Sequence, residues 1–248
     1  MRVDLAPALV LHRRPWRDTS FIVEAFTRDY GRVGLVAKGA RRAKSRWRGL
    51  LEPFSRLDLS WAGQGELYTL RDIDCVTRYR LVDKSLMGGL YASELLMRLT
   101  ARDDPHPVLF DSFEALLATM AAGAPAIVAL RFFERDLLDA LGYGLTLDHD
   151  GDGEPIAAET RYRFDPESGF WPAAGVETGE LRVAGATLRG LAEGRLTQRT
   201  RLREARDLMQ AALAPHLGPK PLKSVATLKA MQDFADAPRP NPADDDRP

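Results

Sequence analysis

One cysteine, Cys75, and four histidines are nearly all the sulfur and nitrogen metal ligands that this chain of 248 residues offers. A single thiol excludes an intramolecular disulfide and any cysteine-based metal cluster, and it fits a reducing compartment. Long hydrophobic runs are missing too, so no membrane span is expected. Residues Met1 to Trp16 have too short an apolar core, interrupted by Asp4 and followed at once by basic residues, to act as a secretory signal. The expectation is a soluble, cytoplasmic protein. His12, His106, His149 and His216 stand in no ligand spacing with the cysteine, and the patterns HExxH, GxSxG and GxxxxGKS/T do not occur. Without a nucleotide-cradling loop an ATP-driven motor or ligase is not expected, and no convergent acid, base and nucleophile suggests an enzyme. Net charge is the last absence, because 35 Lys and Arg balance 35 Asp and Glu.

That balance is uneven along the chain. Residues 1–82 hold 16 Lys and Arg against 9 Asp and Glu. Within them, Ala37 to Gly49 reads AKGARRAKSRWRG and gathers Lys38, Arg41, Arg42, Lys44, Arg46 and Arg48 with no acid. Concentrated positive charge points to a polyanion such as nucleic acid, although a charge run also serves simply as a solvated surface. The glycines and Trp47 fit a mobile loop able to stack on bases. Trp47 is equally suited to packing on the body of the domain.

Period-2 alternation with β-branched and aromatic residues predicts five strands: Ala8 to Leu11, Phe21 to Thr27, Gly31 to Lys38, Ser55 to Trp61 and Glu66 to Thr77. Along the third, Val33, Leu35 and Ala37 fall on one face and Arg32, Gly34, Val36 and Lys38 on the other. Gly63 and Gly65 bracket a hairpin-like turn. A five-stranded barrel with a basic strand-loop edge is how an OB-fold holds single-stranded nucleic acid.

Past Leu81 the period turns helical. Leu86, Leu90, Glu94, Leu95 and Leu99 form one set, followed by Val108 to Ala122, Ala126 to Leu141, Ala186 to Glu193 and Thr200 to Ala214. Pro215 is expected to kink or end the last of these. A short final helix is expected over Val225 to Phe234 with Ser224 as its N-cap. The fold class is therefore α+β: a barrel over residues 1–80, a mainly helical domain over 81–236 with an irregular insertion at about 145–180, and a Pro- and Asp-rich disordered tail over 237–248.

Inside the insertion, Asp148 to Glu159 reads DHDGDGEPIAAE and fits the calcium-loop spacing D-x-D-x-D-G followed by five residues and Glu. Asp148, Asp150, Asp152 and Glu159 would be the ligands. Pro155 at the eighth position and flanks that read as a glycine turn and a strand weigh against it, so an acidic surface loop is the favoured reading. A metal-dependent nuclease built on this loop is one rival reading of the chain.

Several strings occur in a characteristic order: A-x-V-L-H-x-R-P-W-R-D-T-S-F-I-V with F-T-R-D-x-G-R, AKGARRAKS, LEPF, Glu94-Leu95, Asp104-Pro105 with Leu109-Phe110, Arg131 to Gly144, and LGPKPLKS from Leu217 to Ser224. As an ordered set they resemble the RecO family of bacterial DNA repair proteins over nearly all of the chain except the tail. The resemblance implies an OB-fold, a helical domain and an insertion that in many members is a four-cysteine zinc module. This insertion has no cysteine, so the chain resembles a zinc-free branch. Neither metal nor cofactor is carried over.

The implied activity is recombinational repair: binding single- and double-stranded DNA, annealing complementary strands and, with RecR, helping RecA load onto strands coated by the single-strand-binding protein SSB. That implies a nucleoid-associated location. Lys38, Arg41, Arg42, Lys44, Arg46 and Arg48 are the leading candidates for DNA contact, with Arg13, Arg14 and Arg32 second and Trp47 as the stacking candidate. About five phosphate contacts would give a salt slope near −3.5 on single strands. The resemblance also implies a receptor for the acidic, apolar-ended SSB tail, for which Arg131, Arg135, Leu137 and Leu138 are candidates. Lys220 and Lys223 either widen a basic surface or belong to a helix start. A generic OB-fold nucleic-acid binder without a repair role is the other rival.

Overall fold

The computed structural model describes residues 1–173 and 180–227. Strands β1 (Arg2–Trp16), β2 (Ser20–Thr27), β3 (Gly31–Ala37), β4 (Ser55–Ala62) and β5 (Tyr68–Arg78) close into a barrel in the order β1-β2-β3-β5-β4. β1 is 15 residues long and pairs with both β2 and β4, and register shifts at Val3/Ala6 and Val10/His12 bend it from one neighbour to the other. β3 meets β5 in parallel through Leu35 opposite Tyr68 and Val36 opposite Thr69. This is the expected OB-type barrel. Val33, Leu35 and Ala37 are buried inside it, as their alternation requires, around Trp61 and Leu59.

The outer face of the barrel is apolar where the helices cover it. Leu9, Leu11, Phe26 and Phe54 join the helical core, and the Phe26 ring lies 6.0 Å from Phe110. Each such side chain contributes about 2 kcal/mol when fully buried. The helices are α1 (Asp83–Leu99), α2 (Pro107–Ala121), α3 (Ala126–Ala140), α4 (Gly185–Ala192) and α5 (Arg199–Leu217). Pro107 opens α2, where a missing N–H leaves no helical bond unmade.

The apolar stripe expected on α1 is buried only in part: Leu95 is in the core and Leu99 packs against it. Leu86 and Leu90 are exposed, and the packed face is Gly88, Gly89, Ala92, Ser93, Leu95 and Leu96. Closeness explains the choice of small residues, since a Cβ on Gly89 would lie 2.6 Å from the Leu81 side chain and 2.9 Å from Phe54. Pro215 does not end α5. It sits in the final turn, and the chain leaves the helix at Gly218, which takes φ 67°.

Residues 223–227 are helical, but Ser224 is not their cap. Glu94 of α1 accepts hydrogen bonds from the Lys223 N–H (2.8 Å), the Ser224 N–H (2.8 Å) and the Ser224 hydroxyl (2.7 Å). Burial works against that carboxylate, yet these three donors and Arg98 hold its pKa below the usual value. Arg98 also donates to the carbonyls of Lys220 (2.5 Å) and Pro221 (2.8 Å). The remainder of the expected helix to Phe234, and the tail over 237–248, lie outside the described residues.

The insertion is less irregular than expected. Strands β6 (Arg161–Asp165), β7 (Gly169–Pro172) and β8 (Arg182–Ala184) form a sheet in the order β7-β6-β8. Tyr162, Phe164, Phe170 and Val183 anchor it in the helical core, and Asp165 forms the hairpin by accepting the N–H groups of Glu167 and Ser168.

Polar contacts lock the two lobes together. Arg32 meets Glu24 at 3.0 Å and the Thr100 carbonyl at 3.0 Å, Arg102 pairs with the same Glu24, and Arg28 grips Asp111 at 2.9 Å. Gly31 sits at this joint with φ 67°, and a Cβ there would stand 2.1 Å from the Asp104 carbonyl oxygen. Gly31→Ala is therefore expected to cost about 2 kcal/mol or more in stability, read from denaturant unfolding.

Candidate nucleic-acid interface

The basic run forms the connection between β3 and β4. Its backbone descends through successive tight turns, with N–H groups of Arg42, Ser45, Arg48 and Leu50 bonded three residues back. Ala40 and Leu51 are buried in the barrel core, and Trp47 and Leu50 pack against it. Because these apolar residues point inward, Lys38, Arg41, Arg42, Lys44, Arg46 and Arg48 are left exposed on the outer side. The loop is thus pinned rather than free-hanging. Trp47 takes the packing role, with its indole nitrogen enclosed and without a hydrogen-bond partner among the described residues.

Ion pairing sorts the candidates. Among the described residues no carboxylate pairs with Lys38, Arg41, Arg42, Lys44 or Arg48, whereas Arg46 reaches Asp72 at 3.0 Å. That pair is largely exposed, so it is weak and a phosphate can replace the carboxylate. Arg13 is matched by Glu52 at 2.6 Å and stacks over Phe21 at 4.6 Å. Arg32 does not belong to this surface. Its side chain is only 15% exposed and is committed to Glu24 and Thr100, so its expected DNA contact is withdrawn.

The loop is stitched to the β1–β2 turn. The Arg41 N–H donates to the Thr19 carbonyl (2.8 Å) and its guanidinium to the Arg17 carbonyl (3.1 Å). This brings Arg14, Trp16 and Arg17 beside the basic run, and Arg14 and Arg17 also lack a carboxylate partner among the described residues. Arg17 and Trp16 were not singled out by sequence reasoning. The signal was there in R-R-P-W-R, an aromatic residue flanked by arginines at a hairpin tip.

The expected peptide receptor on α3 needs correction. Leu137 and Leu138 are buried in the core and present no surface. Arg131 is 5% exposed and pairs at 2.8 Å with Glu134, which is fully buried and also accepts the Tyr91 hydroxyl at 2.8 Å. Arg135 spans to Asp136 (2.7 Å) and the Leu191 carbonyl (2.6 Å), tying α3 to α4. Arg131 nevertheless lines an open groove of about 1150 Å³ between α1, α3, α5 and the helical turn at 223–227. Ile127, Val82 and Val225 expose apolar surface there, and Arg80, Lys84 and Arg206 add positive charge.

The acidic loop closes on itself. Asp150 accepts the N–H groups of Asp152 and Glu154 at 3.0 Å each, while Asp148 faces His149 at 3.1 Å. Among the described residues no three His, Cys, Asp or Glu side chains gather in a metal-holding group. No described helix is long and apolar enough to cross a membrane.

A closed OB-type barrel with an exposed cationic edge, seated on a helical lobe, defines the class of protein. Residues 1–79 match the family described as Recombination protein O N terminal, and residues 84–226 match Recombination protein O C terminal. The chain is 48% identical over 233 residues to the DNA repair protein RecO of Alkalilimnicola ehrlichii, covering 93% of this chain and 92% of that one. It is 46% identical to that of Laribacter hongkongensis, covering 92% and 95%. The chain belongs to the RecO family of DNA repair proteins.

Proposed function

We propose that the protein is a recombinational repair mediator that binds single- and double-stranded DNA, anneals complementary strands and, with RecR, helps RecA load onto SSB-coated DNA. One observation carries the reading: five cations without carboxylate partners among the described residues, held outward on a pinned loop beside the β1–β2 turn of an OB-type barrel. Phosphate contacts of this kind bind without reading sequence and lower the repulsion between two strands while base edges stay free to pair. The work is done by binding, so no catalytic residue is assigned, and the site of action is the nucleoid in the cytoplasm. The test is annealing of two complementary oligonucleotides already coated with SSB. Acceleration by the protein supports the mediator; DNA binding without acceleration leaves a generic nucleic-acid-binding module.

The groove lined by Arg131 is the receptor this reading assigns to the SSB tail. An apolar end fits against Ile127 and Leu130, and the acidic stretch finds Arg80, Lys84 and Arg206. Ile127→Asp is expected to weaken a labelled SSB-tail peptide by about tenfold or more, the scale of losing one buried anchor. Binding to single-stranded DNA, measured beside it, should be unchanged.

A further inference from the structure

We propose that Trp16, at the tip of the β1–β2 hairpin, is a base-stacking residue of this surface and makes it favour unpaired DNA. The inference rests on the DNA-binding reading above. The chain has four tryptophans, and the structure separates them by availability. Trp61 is fully buried in the barrel. Trp47 is packed against the barrel core. Trp171 belongs to the insertion, where its indole N–H donates to Ser168 at 3.0 Å and its ring closes over Gly151. Trp16 is 36% exposed and ends β1 opposite Ser20.

Its surroundings are those of a stacking platform. Arg14 and Arg17 approach the ring at 5.7 and 5.9 Å, the outer limit of a cation–π contact near about 6 Å, so neither covers the indole closely. Both lack carboxylate partners among the described residues, which leaves them for phosphates on either side of a stacked base. The tip is held in place: Arg17 takes φ 50°, and the two hydrogen bonds from Arg41 to Thr19 and Arg17 fasten it to the basic loop. A strand lying along residues 38–48 therefore reaches Trp16 without any rearrangement of the turn. The loop between the first two strands is also one of the positions through which OB-type barrels engage oligonucleotides.

Stacking demands a free base face, which a duplex does not offer, and it releases no counterions. Trp16 and the cations of the loop are thus separable by two independent readouts. Affinities for an oligo-dT and for a duplex of equal length would be measured by fluorescence anisotropy across a salt series, for wild type, Trp16→Ala and Trp16→Phe. Trp16→Ala is expected to weaken oligo-dT binding about tenfold, with an unchanged salt slope and duplex affinity within about twofold of wild type. Trp16→Phe should restore most of the loss, which also shows that the tip tolerates substitution. Equal losses on both DNAs, a changed slope, or no loss on oligo-dT would each overturn the stacking role. If the wild type binds neither DNA, the DNA-binding reading itself fails and this inference goes with it.

Discussion

Changing Arg41, Arg42 and Lys44 together to Ala is expected to weaken single-stranded DNA binding about a hundredfold near 0.1 M salt and to make the salt slope shallower by about 2. Each phosphate neutralised on a single strand adds about 0.7 to the slope, so three lost contacts remove about 2 decades at that salt. The three side chains are exposed, and none has a carboxylate partner among the described residues. Folding should therefore be little changed, because the anchors Ala40, Trp47, Leu50 and Leu51 are untouched. Annealing of SSB-coated oligonucleotides should fall with the affinity. A variant that folds, binds DNA as tightly as wild type and keeps the full salt slope would remove the basic loop from the interface.

The second large effect concerns the buried pair in α3. At pH above about 7, Arg131→Ala should lower folding stability by about 3–5 kcal/mol, because it strands the Glu134 carboxylate in the core with Tyr91 as its one remaining partner among the described residues. Replacing both residues by apolar ones of similar volume should recover most of that loss. Burial raises the Glu134 pKa to about 7, against the opposing pull of Arg131 and the Tyr91 hydroxyl. The native state then holds a proton that the unfolded chain releases near the ordinary carboxyl value of 4.5. Stability from this group is complete below that value and is lost as pH rises toward about 7. In Glu134→Gln that decline should be absent. Denaturant unfolding at a series of pH values checks both expectations, and a wild-type profile that rises across the window would refute the assignment.

The barrel was largely legible because strand alternation and inward packing are the same fact seen twice: Val33, Leu35 and Ala37 repeat every second residue and fill the interior. The helical lobe was legible in its element order and less so in its faces. On α1 the packed side joins Leu95 and Leu96 to Gly88, Gly89 and Ala92, which carry little hydrophobic signal; Gly89 is selected by closeness to Leu81 and Phe54, and Gly88 by closeness to Met120 and Leu130. On α3, Arg131 falls on the buried stripe with its partner three residues on, and periodicity alone cannot distinguish an enclosed ion pair from a solvated one. Leu137 and Leu138 are receptor candidates only through the family resemblance; their spacing is that of a packed helix, and they are buried. The cationic loop was plain from composition. Its tie to Arg17 and Trp16 was not, since it depends on hydrogen bonds between segments more than twenty residues apart.

Glu94 and Arg98 fasten residues 220–224 to a helix that precedes them by more than a hundred positions. During synthesis α1, α2 and α3 are therefore complete long before the groove they border acquires its final wall. The groove is a late arrival in the life of the molecule, and a cut near residue 220 would take away its last wall, with the barrel and its cationic edge left standing.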